Sequence, residues 1–351
     1  MRALSFDDFG APVRVVETPA PPCPADGVVI DVRATGVCRS DWHAWRGHDP
    51  VALPHIPGHE FAGVVAQTGP LVAGVGVGDR VTVPFVVGCG RCEWCRSGHA
   101  QVCPDQSQPG FTQAGSFAEQ VAIAAADFNV VRLPEELDFV TAAMLGCRFA
   151  TAFHALTARA AVQSGEWVVI YGCGGVGLSA VLVATALGAR VVAVDPSPAA
   201  LARAADLGAA TGISDADPAP AVRNATGGGA HCSMDAVGSA ATAVAAVRSL
   251  RRRGRHVQVG LMFGADQEAP IPWDLLVSQE LRILGAHGMA ARDYPLMLDM
   301  IAGGRLDPRQ LLGAVIPFEQ AGAALMAMDQ RVALHAGVTV ATMPARARTG
   351  P

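Results

Sequence analysis

The stretch EWVVIYGCGGVGLSAVLVATALGARVVAVD, residues 166–195, limits the fold more than any other part of the chain. The apolar run WVVIY leads into Gly172-Cys173-Gly174-Gly175-Val176-Gly177. The helix pattern LSAVLVATAL follows, and RVVAVD ends in Asp195, eighteen residues past Gly177. A strand, a glycine turn, a helix and a second strand in this order build a parallel sheet, and G-x-G-x-x-G in that setting is a dinucleotide fingerprint. Gly172 permits the turn, Gly174 lets backbone approach a pyrophosphate, and Gly177 lets the helix pack on the strand. The helix N-terminus offers free N–H groups to phosphates. A carboxylate at Asp195 accepts the adenosine ribose hydroxyls and repels a 2′-phosphate, so NAD is expected over NADP. Residues 167–189 carry no charge and are long enough to cross a bilayer. Five glycines, at 172, 174, 175, 177 and 188, interrupt them, and a strand, turn and helix account for the stretch better than a membrane span.

The chain has 351 residues, enough for two domains. Before this stretch, short apolar runs (GVVIDVRATGV, FAGVVAQTG, DRVTVPFVV) are separated by Gly, Pro and Asp, a β-rich pattern. After it, AALARAADLGA and SAATAVAAVRSL read as helices, and AHCSMDAVG and GRHVQVGLM as strands. The expected architecture is α/β, with a β-rich domain from residues 1–147 and 287–351 and a doubly wound parallel-sheet domain, residues 148–286, inserted into it. RRRGR, residues 251–255, is expected to be a solvated helix end, where cations suit the dipole.

Cys89, Cys92, Cys95 and Cys103 fall within fifteen residues as C-x2-C-x2-C-x7-C. The first residues lack the apolar segment of a secretory signal, so the chain is expected in the cytoplasm, where thiols stay reduced. Four thiolates there satisfy tetrahedral Zn²⁺ with no open position, a structural site in a lobe over residues 89–103. A nucleic-acid zinc ribbon is disfavoured, because the net charge is −5 and no basic, aromatic surface flanks the cluster.

A second set is spread more widely. GVCRSDWHAW carries Cys38, Ser40, Asp41 and His43; PHIPGHEFAG carries His59 and Glu60; LGCRFATAFHAL carries Cys147. Two thiolates, an imidazole and a water make an open zinc site. With the four-cysteine lobe, the glycine turn and Asp195 in this order, the chain resembles the zinc-dependent medium-chain alcohol dehydrogenases over nearly its whole length. The resemblance implies a GroES-like catalytic domain and a Rossmann NAD-binding domain. It also implies one catalytic zinc on Cys38, His59 and Cys147, and one structural zinc on the four cysteines. Glu60 would sit behind the catalytic metal, and Asp41 would bond His59 and fix its tautomer. Ser40 would take the substrate hydroxyl proton, and His43 would pass it to solvent through the cofactor ribose. Arg39 would contact the pyrophosphate, Thr151 and Val176 would pack on the nicotinamide, and Phe85 would line the substrate pocket. The family often carries a Gly-Arg pair near the C-terminus, with the Arg on the cofactor phosphates; LHAGVTV here has none.

The function implied is reversible oxidation of a primary or secondary alcohol to an aldehyde or ketone, with hydride transfer to NAD. Polyol, amino-alcohol and formaldehyde dehydrogenases of the same superfamily are the alternatives among enzymes. A zinc-stabilised dinucleotide sensor is the non-enzyme alternative, but a sensor needs no proton path such as Ser40 and His43. The expected partner is a small alcohol or carbonyl compound, with no nucleic acid and no membrane. Only 44 positions separate Cys103 from Cys147, as in the shorter, tetrameric members, so a homotetramer is expected.

Overall fold

The computed structural model describes residues 1–330 and 337–343; Leu334, His335 and Ala336 of the LHAGVTV stretch lie outside the described residues. The chain forms two compact units. The first comprises Met1–Ala150, Gly288–Leu298 and Leu312–Pro351; the second comprises Thr151–His287 and Asp299–Leu311.

The first unit is built on a seven-stranded sheet. Its centre is strand Val28–Val37, which pairs antiparallel with Phe61–Thr68 on one side and Val338–Thr342 on the other. Gln120–Ile123 pairs along its first half. With neighbours around it, this strand buries nearly every residue, and its Val and Ile side chains join Phe6, Phe61, Val81 and Phe117 in one core. Each such side chain contributes about 1.5–3 kcal/mol on burial. The register opposes Thr35 to Phe61. The end of one strand therefore lies beside the start of the next. Cys38 just past the first and His59 just before the second become neighbours, although 21 positions separate them.

The second unit holds a six-stranded, all-parallel sheet in the order Thr211–Ile213, Arg190–Val194, Trp167–Tyr171, Ala230–Asp235, Leu250–Gln258, Arg282–Gly285. Counted along the chain, that order is third, second, first, fourth, fifth, sixth, the arrangement of the dinucleotide-binding Rossmann sheet. Residues 167–189 resolve into strand Trp167–Tyr171, the glycine turn and helix Gly175–Ala186. Among the described residues no helix is long and apolar enough to cross a membrane.

Two features differ from the sequence reading. RRRGR does not end a helix. It belongs to strand Leu250–Gln258, which begins two residues after helix Ala240–Arg248. A register shift against Ala230–Asp235 and a φ of +59° at Arg253 mark a bulge there. The strand keeps its arginines because they find partners: Arg255 pairs with half-buried Glu166, Arg251 bonds His231 at 2.6 Å, and Arg252 donates to the Ser278 carbonyl at 3.2 Å. The sequence reading also puts all of 287–351 with the β-rich domain. In the structure Asp299–Leu311 joins the parallel-sheet unit, where the Gln310 carbonyl accepts from Arg203 at 2.8 Å.

Gly177 carries the strand-to-helix packing, because a Cβ there would lie 1.7 Å from the Gly172 carbonyl oxygen. Gly177→Ala is expected to lower stability by about 1–3 kcal/mol, as overpacking does. Urea unfolding measures this, and an unchanged midpoint would contradict the close approach.

Candidate metal centres and dinucleotide turn

Cys38 is the N-cap of helix Arg39–Trp45. Asp41, in the first turn, reaches back so that its Oδ2 accepts the Cys38 N–H at 3.3 Å, a capping-box contact. Its Oδ1 accepts the Gly58 N–H at 2.9 Å and the His59 Nδ1–H at 2.8 Å. With the ring proton committed to Nδ1, the Nε2 lone pair is left over. That Nε2 is buried and has no hydrogen-bond partner among the described residues. An unsatisfied buried polar atom costs about 1–3 kcal/mol, so its presence here calls for a ligand. The donor atoms of Cys38, His59, Glu60 and Cys147 all lie within 4.8 Å of one another.

Cys147 comes from the π-helical turn Leu145–Phe149, a wide turn of the kind found at functional sites. The buried Tyr294 hydroxyl donates to the carbonyls of Leu145 and Gly146 and pins that turn. The neighbouring Cys147 sulfur holds Cys38 well below the usual thiol range, and Cys38 together with burial pushes Cys147 well above it. Two sulfurs and one buried imidazole nitrogen match the three protein ligands of an open zinc site.

Glu60 is fully buried, and Arg148 takes up both its oxygens. The Arg148 N–H and Nε each donate to Oε1 at 2.9 Å, and Nη2 donates to Oε2. Burial raises the Glu60 carboxyl, and Arg148 opposes that rise. Gly36 makes the room: a Cβ there would stand 2.5 Å from Glu60 Oε2. Arg148 is absent from the sequence reading. Its signal was a lone cation in the uncharged run from Phe139 to Thr157, since an arginine in a buried segment needs an acid.

The four-cysteine lobe also holds together. Its sulfurs lie within 4.8 Å of one another, with Cys92 and Cys103 at 3.7 Å and Cys89 and Cys95 at 4.0 Å. Disulfide sulfurs would be about 2 Å apart, whereas tetrahedral Zn–S bonds of about 2.3 Å put sulfurs about 3.8 Å apart. Backbone N–H groups of Cys89, Cys92 and Cys95 each donate to a cysteine sulfur at 3.4 Å. Bonds from the Arg91 and Cys92 N–H groups help bring the Cys89 thiol down to about 6. Such donors favour the thiolate a metal requires, whereas burial pushes Cys95 up to about 12 and raises Cys103 as well. Among the described residues no other His, Cys, Asp and Glu group gathers in this way.

Ser40 and His43 sit on the helix that Cys38 caps, both half-buried. Burial, with Arg39 and His48 adding to it, brings His43 down to about 4, so it is neutral at pH 7. Arg39 lies over the Trp42 ring at 3.5 Å and donates to the Met328 carbonyl at 2.8 Å. Phe85 packs with Cys38 and Cys147, its ring 6.0 Å from His59. Phe111, which the sequence reading does not name, lies 5.1 Å from His59 on a loop with no periodic pattern to single it out.

The dinucleotide residues belong to the second unit. Gly172 takes φ +87°, and a Cβ at Gly174 would meet nothing within 4 Å. Helix Gly175–Ala186 begins at Gly174 with no side-chain cap, which leaves its first N–H groups to a ligand. Asp195 Oδ2 accepts the Cys173 N–H and Oδ1 accepts the Ser197 N–H, both at 2.8 Å, so the acid is held against the turn. Val176 is half-buried in the first helical turn and Thr151 is buried. Gly turn, uncapped helix and fixed acid fit a dinucleotide.

Comparison with known proteins agrees with this geometry. The family "Alcohol dehydrogenase GroES-like domain" matches residues 24–135, and the family "Zinc-binding dehydrogenase" matches residues 175–303. The chain is 37% identical over 311 residues to an alcohol dehydrogenase of Geobacillus stearothermophilus, covering 87% of this chain and 90% of that one. It is 32% identical over 322 residues to a sorbitol dehydrogenase of Halalkalibacterium halodurans, covering 89% and 91%. The solved alcohol dehydrogenase of Thermus sp. ATN1 superposes with a TM-score of 0.90 at 29% identity, covering 98% of this chain and all of that one. The chain belongs to the zinc-dependent medium-chain alcohol dehydrogenase family.

Two zinc ions per chain are expected by elemental analysis of metal-replete protein; one would overturn one of the two sites. Cys95→Ser is expected to lose the lobe's ion and with it stability. Asp41→Asn is expected to keep the lobe's ion and to weaken the other by about 10–100-fold, the usual cost of losing a carboxylate behind a ligating histidine. Zinc retained after graded chelator dialysis measures the difference, and equal retention in Asp41→Asn and wild type would contradict it.

Proposed function

We propose that this chain catalyses the reversible oxidation of a primary or secondary alcohol to an aldehyde or ketone, with hydride transfer to NAD. The observation that carries the reading is the buried, unpartnered Nε2 of His59 among the sulfurs of Cys38 and Cys147, behind a helix that also bears Ser40 and His43. A zinc ion held by Cys38, His59 and Cys147 supplies Lewis acidity toward an alcohol or carbonyl oxygen, and a bound nicotinamide supplies the hydride acceptor.

The chain's own residues divide the remaining work. Asp41 keeps the His59 proton on Nδ1, so Nε2 stays available. Ser40 takes the hydroxyl proton of the alcohol, and neutral His43 passes it toward solvent. Arg148 holds Glu60 behind the ligands. Phe85 and Phe111 flank His59 with apolar surface and favour a carbon chain over water. In the second unit, Gly174 and the first N–H groups of helix Gly175–Ala186 receive the pyrophosphate, Asp195 the adenosine ribose, and Thr151 and Val176 the nicotinamide. Arg39 adds a phosphate contact. A polyol dehydrogenase is the second reading, favoured by the likeness to a sorbitol dehydrogenase. The aromatic rings around His59 speak for the less polar substrate. We also infer a homotetramer in the cytoplasm; light scattering that finds a monomer would remove the former.

Absorbance at 340 nm with NAD⁺ and a panel of simple alcohols and polyols tests the reading. Simple alcohols are expected to be turned over fastest, polyols leading would favour the second reading, and no turnover by metal-replete protein would contradict both. Native enzyme is expected to prefer NAD over NADP. Asp195→Ala is expected to narrow the ratio of kcat/KM values by about tenfold or more, because opposed like charges cost several kcal/mol. A native preference for NADP would overturn the role given to Asp195.

A further inference from the structure

Helix Arg39–Trp45 ends in a Schellman motif. Gly47 takes φ +74°, its N–H bonds the Ala44 carbonyl at 3.0 Å, and the His48 N–H bonds the His43 carbonyl at 2.9 Å. Gly47 also packs against the Phe9 ring, which a Cβ would approach to 3.0 Å. This cap brings the residue two past the C-cap, Arg46, against the residue three before it, usually as an apolar contact. Here both positions are histidine, and the two Nδ1 atoms face each other at 3.1 Å.

The pair rests on a built wall. The Trp42 ring meets the His43 ring edge-on at 4.9 Å and the His48 ring at 5.2 Å. Its indole N–H donates to Asp329 at 2.8 Å, and Arg39 covers its face. His43 is half-buried and His48 is exposed. Imidazole accepts a proton at one nitrogen and releases one from the other. A half-buried ring bonded Nδ1 to Nδ1 to an exposed ring is therefore a two-step path to water.

We propose that His48 is the outlet of the proton path and completes the relay that begins at Ser40. This rests on the reading of His43 as a relay residue. A proton arriving at His43 Nε2 displaces the Nδ1 proton to Nδ1 of His48, and His48 releases its Nε2 proton to bulk water. Each ring gains one proton and loses one, so the pair ends neutral with its tautomers exchanged. Water exchange between turnovers restores them. Carbonyl reduction runs the path in reverse, with His48 taking the proton from water.

Stopped flow on the zinc-replete holoenzyme with NAD⁺ and 1-butanol, or the panel alcohol turned over fastest, tests this. NADH is followed at 340 nm and proton release by phenol red. In wild type, release is expected to keep pace with NADH. In His48→Gln, release is expected to lag and the single-turnover rate to fall about tenfold, less than the 10²–10⁴ of a group acting directly on substrate. Added imidazole should restore both, with zinc content and NADH affinity unchanged. If His48→Gln matches wild type while His43→Gln is slow, His48 has no part and the relay through His43 stands alone. If neither variant is slowed, the relay reading fails with the proposal. If His48→Gln is slow, loses NADH affinity and gains nothing from imidazole, His48 merely props the helix end and the proposal is overturned.

Discussion

The carboxylate of Asp41 is the contact on which the first unit's chemistry depends. It is fully buried and accepts three N–H groups, from Cys38, Gly58 and His59. Two of these come from metal-donor residues. One acid thus caps the helix that follows Cys38, ties down the loop before His59 and selects the imidazole tautomer. A buried carboxylate would be expensive without such partners. With them it converts a strand pairing into a donor set of defined geometry. The antiparallel register of Val28–Val37 against Phe61–Thr68 does the coarse positioning, and Asp41 does the fine.

Glu60 and Arg148 extend this logic one layer further. A buried ion pair gives up several kcal/mol of hydration per ion, and removing one partner alone costs about 3–5 kcal/mol. The pair is kept in a site lined by Gly36 because it leaves Glu60 no freedom to wander among the donors. The Arg148 N–H also bonds Glu60, so the ion pair anchors the residue next to Cys147. Three separate segments, at residues 38, 59 and 147, are thereby held by acids bonded to their backbone or rings.

Much of the architecture was legible because it rests on local signals. The glycine turn between an apolar strand and an apolar helix specifies a Rossmann unit, and the spacing of Cys89, Cys92, Cys95 and Cys103 specifies a tetrahedral sulfur cluster. What was hidden depends on long-range pairing. RRRGR read as a helix end because arginine suits a helix C-terminus, and only the partners Glu166 and His231 make it a strand. Asp299–Leu311 carries no mark of the unit it joins. Arg148 and Phe111 are defined by what they face, and facing residues lie tens of positions away. His48 was not legible: its contact with His43 emerges only once Gly47 adopts a positive φ.

The central claim is that Cys38, His59 and Cys147 hold one zinc ion that hydride transfer requires, apart from the ion of the four-cysteine lobe. Zinc content and NADH formation measured together on Cys147→Ala test it most directly. A folded protein with one zinc per chain and almost no NADH formation is the predicted result. Two zinc ions and a large fraction of wild-type kcat would contradict it.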